Sequence, residues 1–195
     1  MAELWASASL RDWRSALDSY VDVVARQGVA KLAAHDEWYR MELPTALSSR
    51  EPRHVTHDEL VRLTEWKMAR GVWRAPNLVL VRSNPADVVI ETSAKAIEKI
   101  PHPTAPIATL ATLKGVGPAT ASAVAAIAEP SSYPFFDELV AEQVPSLGKV
   151  AWTLGYYARY ATALRERAVQ LGADWTPVMV ERAVWAQLGG KAGST

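Results

Sequence analysis

Apolar side chains recur along this chain at three- and four-residue intervals, and nearly every such stretch is bounded by a residue that starts or stops a helix. From Leu10 to Gln27 the stripe is Trp13, Leu17, Tyr20, Val21 and Val24, and Gly28 can close it. Val29 to Leu43 reads as a second helix, with Pro44 and residues 48–52 as a loop. Thr56-His57-Asp58-Glu59 is a capping box, in which the threonine hydroxyl and the glutamate carboxylate each accept from the other's backbone amide. It predicts a helix to about Arg70, stopped by Gly71. Asn84-Pro85 predicts an N-cap and first turn leading to about Ile100. Thr104 to Leu113, Pro118 to Ala128, Asp137 to Leu147, Val150 to Leu171 and Thr176 to Leu188 complete the helical set. Only Leu78-Val79-Leu80-Val81 resembles a strand, and a lone strand has no partner for its backbone, so it reads as buried helix or extended connector. The expectation is an all-α chain, one domain over residues 1–188 with a disordered tail over 189–195.

With 195 residues, 49% of them apolar, the chain has enough material for its own core. It has no cysteine, which excludes a disulfide scaffold, a cysteine-ligated zinc site, an iron–sulfur cluster and a thiol nucleophile. No apolar run approaches the roughly 18 residues of a membrane span, and the first residues lack a basic segment followed by an apolar one. Neither membrane spanning nor secretion is expected, and an intracellular place is. The 21 basic and 21 acidic side chains cancel, which argues against a general polyanion binder. The balance is uneven, however. Residues 50–120 carry 10 basic and 7 acidic side chains, a net of +3, whereas residues 121–150 carry 1 and 4, a net of −3.

The basic segment contains Leu113-Lys114-Gly115-Val116-Gly117-Pro118-Ala119-Thr120-Ala121. Two glycines flank a valine between one short helix and another that opens with proline. Glycine permits a tight turn and lets a ligand approach the main chain. The second helix offers free N–H groups and the positive end of its dipole, so a phosphate could dock on the Gly115–Gly117 amides. The alternative is an ordinary helical hairpin in which the glycines only let two helices pack.

The full segment, with Pro134-Phe135-Phe136-Asp137 downstream, resembles the helix-hairpin-helix motif and following aspartate of the DNA glycosylase superfamily. The stretches from Trp38 to Pro44, Thr56 to Lys67 and Pro134 to Glu138 resemble the Amun-like branch of that superfamily, so the likeness covers about residues 10–188. The resemblance implies a two-lobed helical fold with a cleft, the hairpin (Lys114, Gly115, Val116, Gly117 and Thr120) on the DNA backbone, and Asp137 in the cleft. It further implies a monofunctional DNA N-glycosylase that flips a damaged or mismatched base and breaks its glycosidic bond, a monomer that is nuclear in a eukaryote. A carboxylate suits that chemistry because it can stabilise a developing oxocarbenium ion or take a proton from the attacking water. A descendant that keeps the fold only to bind DNA or protein is the alternative, and Asp137 is also read as a helix N-cap. Strand-cleaving members carry a lysine where Ala119 stands, so lyase chemistry through that position is excluded. No cofactor is expected beyond, at most, a monovalent cation on the hairpin carbonyls.

Outside the hairpin, Lys67 falls within the apolar arc of its helix, whereas Glu59, Arg62 and Arg70 fall outside it. Such a lysine either snorkels to water or lines the cleft, pairing with Asp137 or contacting a phosphate. Arg70, Arg74 and Lys114 are candidate phosphate contacts or plain solvated surface. Of the eight tryptophans, Trp66 and Trp73 are candidates to stack on a flipped base, and Trp13, Trp38, Trp152 and Trp185 are read as core. His54 and His57 lack acidic companions in a metal-ligand pattern.

Overall fold

A computed structural model describes residues 4–193 of the chain; those residues are built from helices, and no strand forms among them. The first predicted helix is two, α1 (Leu10–Asp18) and α2 (Tyr20–Ala25). They part at Ser19, whose hydroxyl bonds back to the Ala16 carbonyl at 2.8 Å and competes with the helical ladder. The second predicted helix begins late, as α3 (Leu32–Glu37), and then widens into a π-helical turn over Trp38–Glu42. It continues as α4 (Leu43–Ser48), so Pro44 opens a helix instead of a loop. A first-turn proline sacrifices no helical hydrogen bond.

The capping box forms as predicted. The Thr56 hydroxyl accepts from the Glu59 amide at 3.3 Å, the Glu59 carboxylate accepts from the Thr56 amide at 2.8 Å, and α5 runs His57–Arg70 with Gly71 after it. The strand-like run lies inside α6 (Ala75–Arg82), with Leu78 and Val81 buried and Val79 and Leu80 exposed. Helix α7 (Ala86–Ile97) has Pro85, not Asn84, at its cap position. The side chain of Asn84 instead crosses to Lys114, donating to its carbonyl and accepting from its amide, both at 2.9 Å.

Helices α8 (Ala105–Leu110) and α9 (Pro118–Ala128) follow, packed on each other, then the short α10 (Glu138–Glu142). Helix α11 (Leu154–Leu171) starts at its Thr153 cap, four residues later than predicted, leaving residues 150–153 outside any helix. Helix α12 (Pro177–Gln187) has the predicted Thr176 cap. Within the stretch read as a tail, the chain forms α13 (Gly190–Gly193). Gln27 holds it: its amide donates to the Gly189 carbonyl at 2.8 Å and accepts from the Ala192 amide at 3.0 Å. Residues 194 and 195 lie outside the described residues.

Helix α5 packs on α3, α6, α7 and α9, while α12 packs on α1, α2, α10 and α11. One continuous apolar core runs through both sets, from Trp13 and Trp185 to Leu60, Trp66, Phe136 and Tyr160. Helix α9 is buried along most of its length by alanine, serine and valine, and these small side chains let neighbours reach its backbone. Tyr39 does so, donating to the Ala123 carbonyl at 2.8 Å. The last turn of α5, the first turn of α9 and the cap of α10 consequently converge, and the candidate site is built there.

Candidate active site

Asp137 is the N-cap of α10. Its Oδ1 accepts from the amides of Leu139 at 2.9 Å and Val140 at 3.4 Å, satisfying two of the helix's orphan donors. The side chain is 7% exposed. Burial pushes its carboxyl above the ordinary value, and Arg70 and the two amides oppose this without cancelling it. Oδ1 is committed to capping, so Oδ2 is the oxygen left for chemistry.

Arg70 faces Oδ2 from the last turn of α5, with its Nε 3.4 Å away in ion-pair range but without a hydrogen bond. The other side of the guanidinium pairs with Glu181 of α12 and meets the Tyr20 hydroxyl at 3.3 Å. The rings of Trp185, Phe135, Tyr20 and Trp66 surround it. Burial works against its charge, but Glu181, Tyr20 and Asp137 together hold its pKa up. Glu181 is itself pushed up to about 7 by burial, with Arg70 opposing and Asp137 reinforcing. One cation therefore serves two buried carboxylates. The sequence pattern places Arg70 outside the apolar arc, as a phosphate contact; it is instead 2% exposed and occupied by protein carboxylates. The periodicity of α5 could not show that α12 brings a glutamate to meet it.

Lys67 lies one turn before Arg70, half-buried on the arc predicted for it. The expected pairing with Asp137 does not form, because Arg70 takes that place. The Lys67 ammonium has no hydrogen bond or ion pair with any described residue. Burial lowers its pKa and nearby Arg74 adds to the effect, while Asp137 acts the other way.

Two adjoining cavities meet at this lysine. One, of about 100 Å³, is lined by Lys67, Arg70, Arg74, Phe136, Asp137 and Trp152, among others. The second, of about 250 Å³, is lined by Lys67, Arg74, Gly117, Ala119, Thr120 and Trp152, among others. Lys67, Arg74 and Trp152 belong to both, so the start of α9 and the buried aspartate share one groove. Lys191 of α13 closes the Asp137 end, its ammonium donating to the Gly71 carbonyl at 2.7 Å.

The glycines of the α8–α9 turn have different jobs. Gly115 has φ +74°, and a Cβ there would fall 2.5 Å from the Asn77 carbonyl oxygen and 2.9 Å from the Leu80 Cβ, so it allows the turn to sit on α6. Val116 is buried in the core, and Lys114 is held through its backbone by Asn84. Gly117 is the open position: nothing lies within 4 Å of a Cβ built there, and it caps α9 without a side-chain hydrogen bond to the helix end. The candidate backbone contact thus narrows from the whole turn to Gly117 and the first turn of α9.

The tryptophans are rearranged relative to expectation. Trp66 is fully buried, stacked on Tyr39 at 3.7 Å between ring centroids and donating to Asp36 at 3.0 Å, so no base can reach it. Trp73 is exposed but lines a neighbouring recess with Met68 and Val29, which meets the Asp137 cavity only at Gly71 and Lys191. Trp152, read from sequence as core, is 43% exposed and sits at the junction of the two cavities, its ring 4.9 Å from Phe136. Trp13, Trp38 and Trp185 are buried as expected. The signal for Trp152 was Thr153, whose hydroxyl caps α11 and thereby excludes its neighbour from the helix.

Among the described residues no three His, Asp or Glu side chains cluster to hold a metal ion, and no helix is long and apolar enough to cross a membrane. In the turn, the Leu113 and Lys114 carbonyls accept from Val116 and Asn84. Comparison with protein-family models, with curated proteins and with solved structures found no match to this chain.

Proposed function

We propose that the groove is a DNA site and that the protein is a glycosylase-like DNA-binding protein, a monofunctional N-glycosylase with Asp137 as its working carboxylate. The observation that carries this is the sharing of Lys67, Arg74 and Trp152 by the cavity at the start of α9 and the cavity at Asp137. A phosphate on the free amides of the α9 first turn, with Arg74 beside it, would place the attached nucleotide within reach of Trp152 and Asp137. Trp152 offers an exposed ring face on which a base can stack. The raised pKa of Asp137 makes its carboxylate a stronger base toward water, and its ionised form would stabilise positive charge developing on the sugar. The resemblance of residues 113–137 to the helix-hairpin-helix motif and aspartate points the same way, and with it the two-lobed fold, a nuclear or other intracellular site and base-excision repair as the setting.

One dimension favours a second assignment, a DNA-binding module without catalysis. The cavity at Asp137 holds about 100 Å³, well below the roughly 300 Å³ at which ligand pockets usually begin. Excision then requires the groove to widen around Trp152 and Lys191.

The test pairs binding with excision. Labelled duplexes carrying a panel of damaged or mismatched bases are incubated with the protein, and abasic sites are revealed by alkali. Asparagine caps helices as well as aspartate does, so Asp137→Asn should fold, bind the duplex and leave every base in place. Binding without excision of any lesion by the wild type establishes the module; no binding even at low salt removes both assignments.

A further inference from the structure

We propose that the groove takes a nucleotide that is already unpaired, in a single strand or a bulge, and does not draw a base out of an intact duplex. The proposal rests on the DNA assignment above and narrows its substrate. The size of the Asp137 cavity is the first reason. Extracting a stacked, paired base lowers affinity by roughly tenfold to a hundredfold unless the base gains a close-fitting pocket in return. At about 100 Å³ this cavity falls well short of the roughly 300 Å³ at which ligand-enclosing pockets begin. What the groove offers is Trp152, 43% exposed where the two cavities join, and an open ring face stacks a base without enclosing it.

The second reason is how charge and apolar surface are laid out. Lys67 and Arg74 face the groove without a carboxylate partner among the described residues, enough for a short run of one backbone. The rim beside them is apolar. Exposed Val72 lines the cavity at Asp137, and exposed Leu80 lies against Gly115 of the turn, with exposed Val79 next to it. Arg82, the cation at the end of α6, is paired with Glu65 at 2.7 Å. An intact duplex turns phosphates and sugars outward on both strands and would set them on this apolar rim. An unpaired strand presents its base faces, which lose water favourably against Val72, Leu80 and the Trp152 ring. Hydrolysis at Asp137 needs one strand only, so this substrate suits the N-glycosylase and the binding module alike.

The experiment compares three DNA ligands of one sequence by fluorescence anisotropy with the full chain, at about 150 mM salt. They are the single strand, its perfect duplex, and the duplex with one bulged nucleotide. Charge attraction alone favours the duplex, whose phosphates are more densely spaced, so it cannot produce a preference for the single strand. The single strand and the bulged duplex should bind at least about tenfold more tightly than the perfect duplex. Trp152→Ala should weaken binding of those two by about fivefold or more and leave the perfect duplex within about twofold of wild type. A perfect duplex that binds as tightly as the single strand overturns the proposal and leaves the DNA assignment standing. A margin that survives Trp152→Ala overturns it too, since the strand is then held elsewhere. Binding of none of the three removes the DNA assignment and the proposal with it.

Discussion

Arg70 approaches Asp137 to 3.4 Å without donating a hydrogen bond to it, while its far side is paired with Glu181. The guanidinium is thus engaged with the carboxylate outside the groove and only loosely with the one inside. Glu181 thereby spares Asp137 a tight ion pair that would lower its carboxyl further and weaken it as a base. Replacing Arg70 with methionine should cost roughly 3–5 kcal/mol, the scale for stranding buried carboxylates without their cation. Chemical denaturation measures it, and a loss below about 1 kcal/mol would show the pair to be incidental.

Stability should fall as pH rises from about 5 to 8. Glu181 is held near 7 in the folded chain against 4.5 in its ordinary state, so the folded form keeps a proton that the unfolded form has lost. Its contribution is full below the unfolded value and disappears as pH rises through the folded one. Complete loss amounts to roughly 3 kcal/mol. Melting curves across this range read the effect, and Glu181→Gln should flatten them.

Trp152→Ala should weaken DNA binding by the worth of one stacked base, about 1–3 kcal/mol, with little change in melting temperature because nearly half of the ring is already in water. Trp73→Ala, on the neighbouring recess beyond Gly71 and Lys191, should leave affinity as it was. Equal losses from the two would place the DNA elsewhere.

Salt dependence should be shallow. Arg74 and Lys67 line the groove and Lys114 stands on the turn, while Arg70 is paired with carboxylates and Lys191 is held by the Gly71 carbonyl, so about three phosphates are neutralised, giving a slope of roughly −2 to −3 in log affinity against log salt. A slope several times steeper would mean a second basic surface carries the binding.

The α8–α9 turn offers a paired test. Gly115→Ala adds a Cβ at 2.5 Å from a backbone oxygen on α6, at a positive φ, and should destabilise by about 1–3 kcal/mol. Gly117→Ala meets nothing and should fold normally. Comparable melting temperatures for the two would contradict the seating of the turn on α6.

What the sequence displayed of this fold was its local chemistry. The Thr56 box, the Gly71 stop, the Thr176 cap and Asp137 before α10 were all legible, because each depends on neighbours three or four residues away. The path of α6 was legible only as one of two alternatives, helix or extended connector, since Val79 and Val81 are β-branched and their preference yields to packing beneath the turn. The site was legible in its carboxylate and in the inward position of Lys67. It was hidden wherever it depends on distant partners: Glu181 lies 111 residues from Arg70, and Asn84 lies 30 from Lys114. Trp66 went astray for the same reason, as Asp36 and Tyr39 claim it from another helix.

The seat of Gly115 on α6 also sets how this protein can vary. A Cβ at this position would meet the Asn77 carbonyl, the Leu80 Cβ and the Val81 amide at once, and Asn84 ties the adjoining residue from the end of the same helix. Two segments more than thirty positions apart therefore share one inheritance. A bulkier residue at position 115 is admissible only in a chain whose α6 has shifted or bent, and a loss of Asn84 should travel with a remodelled turn. In related chains these positions should change together or not at all, while position 117, where an added Cβ would meet nothing, should vary independently of α6.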